Sequence, residues 1–133
     1  IGRMPATWVE GVGINARGSS VIVEDCTVTG SKRAGIELDR TASNDFGIVR
    51  RCTVTGAGES GIVATGQVVL IEFNTVNSSA QYGIAVIQDP NGGTASPVID
   101  DNIVTKTKKK DGIYSGVAGA NIDRNTDYRP PDR

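Results

Sequence analysis

The chain has 133 residues, of which 38% are hydrophobic and 22% are charged, and its formal net charge is −1. This length suits one domain with a sizeable core. The slightly negative net charge argues against a nucleic-acid-binding protein, which usually carries a basic face. No window approaches the roughly 18 apolar residues of a membrane-spanning helix, so no contact with a membrane is predicted.

The first segment, residues 1–10, is assigned to an N-terminal cap or linker. It lacks the charged and apolar regions of a signal peptide, and it contains Trp8, the lone tryptophan. The open strand edges at the end of a solenoid normally have to be covered. We therefore expect the residues from Ile1 to Val9 to cap whatever structure follows them.

A repeat of about 24 residues starts near residue 11 and continues to about residue 128. The dipeptide Gly-Ile recurs five times, with intervals of 22, 26, 22 and 29 residues between the isoleucines, which are Ile14, Ile36, Ile62, Ile84 and Ile113. Each dipeptide is followed by a second landmark, namely Cys26, Cys52, Asn74, Asn102 or Asn125. The distance from a landmark to the next isoleucine is 10 or 11 residues, whereas the distance from isoleucine to landmark varies from 12 to 18.

Each repeat contains two or three short runs rich in Val, Ile and Thr and bounded by Gly, Asn, Asp and Ser, a pattern typical of strands. No stretch has the apolar stripe of a helix. Parallel stacking at a step of about 4.8 Å would bury three columns of side chains. These columns are Ile14/Ile36/Ile62/Ile84/Ile113, Val23/Val49/Ile71/Ile99/Ile122 and Val28/Val54/Val76/Val104, the last of which Asp127 interrupts.

The sequence therefore predicts an all-β protein, a right-handed parallel β-helix of about five coils, with the handedness taken from the general preference of parallel crossovers. Residues 11–128 form the β-helix domain, and residues 129–133 are assigned to a C-terminal tail, a truncated continuation. The repeats resemble those of the pectate-lyase-like superfamily, which includes pectin lyases, polygalacturonases, alginate epimerases and phage tailspikes. The resemblance implies that the stacked landmark amides bond one another as a ladder.

Two further columns, the landmark column and a column of charged residues, are predicted to serve structure rather than chemistry. The landmark asparagines are placed at a turn, where Asn tolerates left-handed backbone. Cys26 and Cys52 occupy one column a coil apart, where the strand step of about 4.8 Å is too long for a disulfide, and we expect two buried thiols and no metal site. The column Glu24/Arg50/Glu72/Asp100 is expected to form ion pairs between coils.

Insertions enter only on the variable side, in the second and fourth repeats, at about residues 39–45 and 88–96. Coils two and four lie about 9.6 Å apart, which is two strand steps. The inserted loops would then flank the third coil as the two sides of a groove, with Val63 and Thr65 on its floor. Solenoids commonly bind ligands on the face that carries their insertions.

Candidate catalytic residues in this groove are Asp39, Asp45 and Asp89. Pairing Asp39 or Asp45 with Asp89 can give two carboxyl groups about 6.5–9.5 Å apart, the separation that suits an inverting glycosidase. Candidate substrate-binding residues are Glu37, Arg40, Lys108, Lys109 and Lys110. The lysine run would attract a carboxylated or sulfated polymer. No cofactor is predicted, except Ca²⁺ if the chemistry is that of a lyase.

The sequence thus predicts a domain that binds an acidic polysaccharide and, in the fuller form of the hypothesis, degrades it as a lyase or a glycoside hydrolase. The chain has no histidine, so it lacks the Gly-His-Gly signature of polygalacturonases and the Asp-Pro-His-Glu signature of epimerases. The alternative is a non-catalytic stalk or cap module of a phage tail spike or cell-surface adhesin, forming a homotrimer or continuing into further domains. Both hypotheses favour an extracellular, virion or cell-surface location.

Overall fold

The computed structural model describes residues 5–9, 11–17, 20–39, 46–65, 68–87, 97–108, 112–117 and 119–128. These residues form short strands and no helix, and hence no helix able to cross a membrane. In chain order the strands are β1 (Pro5–Val9), β2 (Ile14–Arg17), β3 (Ser20–Glu24), β4 (Thr27–Ser31), β5 (Ile36–Asp39), β6 (Phe46–Arg50), β7 (Thr53–Thr55), β8 (Ile62–Thr65), β9 (Val68–Glu72), β10 (Thr75–Asn77), β11 (Ile84–Ile87), β12 (Val98–Asp100), β13 (Ile103–Thr105), β14 (Ile113–Ser115), β15 (Asn121–Asp123) and β16 (Thr126–Tyr128).

The strands stack into three parallel sheets, one for each side of the coil. Sheet A has the order β1-β4-β7-β10-β13-β16, sheet B the order β2-β5-β8-β11-β14, and sheet C the order β3-β6-β9-β12-β15. The all-β parallel solenoid predicted from the repeat is confirmed. The segment assigned to a cap or linker contributes β1, which pairs with β4 and begins sheet A.

The core is the space enclosed by the three sheets, and the predicted inward columns fill it. The isoleucines of the Gly-Ile dipeptides are aligned from Ile14 to Ile113 along sheet B. Val49, Ile62 and Val104 are each 0% exposed. At the last coil the burial ends, since Ile122 is 45% exposed and Asp127 stands in register with Val104.

The corner between sheets C and A has a left-handed residue in all five coils. These residues are Asp25, Arg51, Phe73, Asp101 and Arg124, with φ between 50° and 56°. The prediction that the landmark asparagines take this conformation is wrong, because the left-handed residue is the one before each landmark. The sharp bend at that residue directs the landmark side chain into the core, where Asn74 and Asn102 are each 1% exposed.

The landmark column forms the expected hydrogen-bonded ladder. Asn102 Nδ2 donates to the carbonyl of Ile71 and to Asn125 Oδ1, both at 2.9 Å. Asn102 Oδ1 accepts from the backbone N–H and from Nδ2 of Asn74, both at 3.0 Å. The ladder therefore pairs buried backbone groups at the corner that the short strands leave without a sheet partner.

Cys26 and Cys52 continue the column as buried cysteines that no disulfide joins. The N–H of Cys52 donates to Asn74 Oδ1 at 2.9 Å, and its Sγ lies 3.6 Å from the carbonyl oxygen of Val23. Burial raises the pKa of the Cys52 thiol to about 11. The thiol is thus protonated at neutral pH, as a core side chain should be.

The glycines of the Gly-Ile dipeptides are required by packing at the corner between sheets A and B. A Cβ on Gly61 would lie 2.4 Å from Val76 Cγ1 and 2.8 Å from the carbonyl oxygen of Gly83. The same clash with the valine of the next sheet A strand recurs at Gly13, Gly35 and Gly83. Only glycine lets this corner approach the valine column, which explains the most regular feature of the sequence.

Charged residues pair along the corner between sheets C and A. Arg50 contacts Glu24 at 2.9 Å, and Arg51 contacts both Glu24 at 2.9 Å and Asp25 at 3.1 Å. At the last coil Arg124 contacts Asp100, Asp101 and Asp123. All of these ion pairs except Arg124–Asp123 join neighbouring coils and help to hold their register, and exposed pairs of this kind contribute little to stability.

Candidate functional site

The candidate site is the outer surface of sheet B, which we call the sheet B face. It consists of the outward residues of the five strands and of Tyr82 at the preceding corner. These outward residues are Asn15, Arg17, Glu37, Asp39, Val63, Thr65, Ala85, Ile87, Tyr114. Strand β8 lies in the middle of this face, between β5 and β11. Segments 40–45 and 88–96 follow β5 and β11, so both predicted insertions leave the same edge of sheet B.

One end of the sheet B face is aromatic. The rings of Tyr82 and Tyr114 are stacked, with centroids 4.8 Å apart and planes inclined by 17°. Tyr114 is 37% exposed and stands in register with Ala85 of the previous coil. Ile87, on the same strand as Ala85, is 42% exposed. An aromatic pair with an exposed apolar neighbour offers a surface on which the apolar face of a ring can rest.

The other end of the sheet B face carries two carboxyl groups. Glu37 and Asp39 are two residues apart on β5 and therefore point to the same side, with α-carbons about 6.6 Å apart. Burial raises the pKa of Glu37 above its ordinary value, and the negative charge of Asp39 raises it further. Asn15 Nδ2 donates a hydrogen bond of 3.4 Å to Glu37 Oε1. A pair of carboxyl groups of which one has a raised pKa is typical of sites for general acid–base catalysis.

Cationic groups border the sheet B face at the corner with sheet A. Lys108 is exposed, and its N–H donates to the carbonyl of Ser79 at 3.2 Å, which places it one coil beyond the corner that leads to Tyr82. Arg33 and Glu59 form an exposed contact of 3.9 Å at the equivalent corners of the second and third coils. The lysine therefore lies on the tyrosine side of the face, and the carboxylates lie towards the first coils.

The structure brings together only some of the residues predicted from sequence. Glu37 and Asp39 share one strand, and Val63 and Thr65 lie on the strand alongside; the groove itself stays a prediction, since the loops predicted to flank it lie outside the described residues. Asp45, Asp89, Arg40, Lys109 and Lys110 lie outside the described residues. The pairing of Asp39 or Asp45 with Asp89 therefore stays a prediction.

Sequence reasoning missed the tyrosine pair and Arg124. Tyr82 precedes a Gly-Ile dipeptide and Tyr114 follows one, so the two rings belong to different columns of the repeat. Aligning the coils would have placed Tyr114 beside Ala85, where only a small residue leaves room for a neighbouring ring.

Within the described part of the chain, no group of three or more His, Cys, Asp or Glu is placed to hold a metal ion.

Comparison with known proteins gives one match. The model of the family described as right handed beta helix region matches residues 6–95 of the chain. No curated protein and no solved structure matches the chain significantly.

Proposed function

The chain belongs to the right handed beta helix family, and from this premise we propose that it binds a polysaccharide across the sheet B face. The observation that supports the proposal most strongly is the stacked pair Tyr82–Tyr114, which lies on the same face as Glu37 and Asp39. Three strand steps separate Glu37 from Tyr114, a span of about 14 Å. A chain of several sugar units laid across the strands would reach from the carboxylates to the tyrosines.

The tyrosines supply the apolar part of the interaction. Sugar rings present C–H groups on one face and hydroxyl groups at their edges. Binding sites for such molecules combine aromatic and aliphatic surfaces with a few well-placed polar groups. The aromatic and aliphatic surface is supplied by Tyr114, Val63 and Ile87. The polar groups are those of Asn15 and Glu37.

The polymer we propose is acidic. Lys108 lies at the tyrosine end, and it is the first of the three lysines predicted to attract a carboxylated chain. A positive border raises the local concentration of an anionic polymer and speeds its association. Binding of an acidic polymer should therefore weaken as salt is added, because the screening length falls from about 10 Å at 0.1 M salt to about 3 Å at 1 M.

A hydrolytic activity would use Glu37 and Asp39. Their α-carbons lie about 6.6 Å apart along β5, a spacing from which the two side chains can reach the carboxyl–carboxyl separation of about 6.5–9.5 Å that inverting glycosidases use. The raised pKa of Glu37 suits a general acid, which must hold its proton until the leaving oxygen takes it. Asp39 would then activate a water on the opposite face of the sugar.

Binding is tested with Tyr114→Ala against a matched control, Phe73→Ala. Phe73 is also an exposed aromatic residue, at 56%, but it lies at the corner between sheets C and A. Affinity electrophoresis through gels containing uronic-acid polymers or bacterial exopolysaccharides should show retardation of the wild type and of Phe73→Ala. Tyr114→Ala should migrate freely. Free migration of the wild type in every polymer, or equal retardation of Tyr114→Ala, would overturn the proposal.

Degradation is tested separately from binding. The wild type is incubated with each polymer that it binds, and new reducing ends are measured alongside the absorbance of unsaturated uronates. Glu37→Gln should abolish the release of reducing ends while gel retardation persists. If the wild type binds but releases no products, the domain is a binding module and the catalytic part of the proposal is wrong.

The second candidate is a non-catalytic stalk or cap module, and the last coil favours it. Ile122 belongs to an inward column yet is 45% exposed, so a further coil or a partner surface would bury it. In this version the protein forms a homotrimer or stacks on another domain. Sedimentation equilibrium of a polysaccharide-free sample measures the oligomeric state of the isolated chain. A trimer supports the stalk module, and a monomer that binds polysaccharide contradicts it.

A further inference from the structure

Sheet A presents a regular array of threonines to solvent, which we call the threonine face. It consists of two outward columns on β4, β7, β10, β13 and β16. The first column is Thr27/Thr53/Thr75/Ile103/Thr126, and the second is Thr29/Thr55/Asn77/Thr105/Tyr128. Thr27, Thr29, Thr53 and Thr75 are exposed. From β4 to β13, neither column contains a charged side chain or an aromatic ring.

The array is a two-dimensional lattice fixed by the backbone. Neighbouring strands stack without a register shift from Thr27 to Thr53 and on to Thr75. The hydroxyl groups therefore repeat about every 4.8 Å across the strands and about every 6.6 Å along each strand. Threonine is branched at Cβ and has few allowed rotamers, so the positions of hydroxyl and methyl groups are set before anything binds.

Across the strands, the step of this lattice is close to the spacing of hydrogen-bonded water. Two water oxygens bonded to a common third water lie about 4.5 Å apart, because each O–H···O bond is about 2.75 Å long and the angle is tetrahedral. A threonine hydroxyl has one donor and two acceptor sites and can therefore take the place of a lattice water. The strand step of about 4.8 Å is close to this water spacing.

We propose that the threonine face binds ice. The hydroxyl groups would hold a layer of water in ice-like order, and the methyl groups between them would limit competing water arrangements. The preorganised lattice reduces the entropy that ordering the surface costs on binding. This site is distinct from the sheet B face and does not depend on the proposed polysaccharide binding.

A crystalline polysaccharide fits the threonine face less well than ice does. Aromatic rings are the side chains on which sugar rings stack, and over the first four coils, from β4 to β13, the two columns have none, in contrast to the sheet B face. Thr105 Oγ1 donates to Asn77 Oδ1 at 2.8 Å, which keeps the second column regular where asparagine replaces threonine. An uncharged array of this kind suits a neutral lattice of small molecules.

The experiment measures partition of the protein into slowly growing ice, as the fraction of protein in the ice against that in the remaining liquid. The wild type should be enriched in the ice. Thr53→Lys, at the centre of the array, should be excluded, because its long and strongly hydrated side chain keeps the lattice away from the surface. Ser20→Lys is the matched control, since Ser20 is exposed on sheet C. It should partition like the wild type.

Thermal unfolding by circular dichroism is recorded for all three proteins, so that exclusion of Thr53→Lys is attributed to the face only when its fold is intact. Thr75→Lys serves as a second variant of the same column. Exclusion of the wild type from ice overturns the proposal, as does enrichment of both lysine variants. A parallel pull-down on microcrystalline cellulose separates the occupants: binding to cellulose through Thr53 without enrichment in ice would assign the face to a polysaccharide instead.

Discussion

Single buried amides carry much of the stability at the corner between sheets C and A. Replacing Asn102 by Ala removes the partners of the Ile71 carbonyl and the Asn74 N–H, both in the core. Each unsatisfied group costs about 1–3 kcal/mol, so Asn102→Ala should lower the free energy of unfolding by about 3 kcal/mol or more. The exposed Asn121 is the control, and Asn121→Ala should change the free energy of unfolding by less than about 0.5 kcal/mol. Urea unfolding measures the free energy of unfolding of both variants. Equal losses in the two would contradict a stabilising role of the hydrogen-bonded ladder.

The two cysteines mark where the ladder ends and where it could be extended. An Asn at position 52 would place an amide where Cys52 Sγ now lies 3.6 Å from the Val23 carbonyl oxygen. Because the amide donates more strongly than a thiol, Cys52→Asn should stabilise the fold by about 1 kcal/mol. Cys52→Ala, which has no donor, should destabilise it. If the Asn variant unfolds at the same urea concentration as the Ala variant, position 52 does not accept the ladder geometry.

Glu37 gives a prediction with a defined sign of pH dependence. Burial and the charge of Asp39 raise its pKa in the folded state. Folding is therefore favoured by the protonated form, and this contribution is lost as pH rises through the folded-state pKa. Glu37→Gln, which cannot ionise, should be more stable than the wild type at pH 7 and equal to it below about pH 4. Thermal unfolding at both values checks this, and a less stable variant at pH 7 would show that the carboxylate is stabilised instead.

At the scale of elements, the corner glycines decide whether coils can stack. Gly61→Ala places a methyl 2.4 Å from Val76 Cγ1 and should destabilise the fold by about 1–3 kcal/mol through overpacking. Gly11→Ala is the control, because a Cβ there meets nothing within 4 Å. Chemical denaturation of the two variants should separate them clearly. Indistinguishable midpoints would mean that the corner moves apart at little cost.

Much of the element arrangement could be predicted from the repeat. The two columns of landmarks and isoleucines fix the register of sheets A and B, because side chains in a parallel stack must align for their apolar groups to meet. Ile36, Ile62 and Ile84 occupy the predicted column. The left-handed position was missed, since periodicity identifies which residues share a column but not the backbone conformation of each column.

The candidate site was less predictable than the fold. Glu37 and Asp39 were found because they alternate on a strand whose register the repeat defines. The pair Tyr82–Tyr114 was missed because it joins two different columns on successive coils, and no single column of the alignment shows both rings. A site that is made by contact between coils does not appear in the period of the sequence.

At the scale of the whole molecule, the three outer surfaces differ in chemistry. Sheet A presents threonines, sheet B presents tyrosines and carboxylates, and the corner between sheets C and A presents ion pairs. Since the inward columns are close-packed, the outward positions are those that sequence can vary most freely. Function is therefore expected on the outward columns and on the segments that leave sheet B.

The most direct test of the central claim is a map of the binding site by nuclear magnetic resonance. The uniformly ¹⁵N-labelled chain is titrated with an oligosaccharide of the uronic-acid polymer that retards it most in gels. Binding across the sheet B face should shift the amide signals of Glu37, Val63, Ala85 and Tyr114, with little change at Thr53 on sheet A or Arg50 on sheet C. Shifts confined to sheet A or sheet C, or no shifts at saturating oligosaccharide, would contradict it.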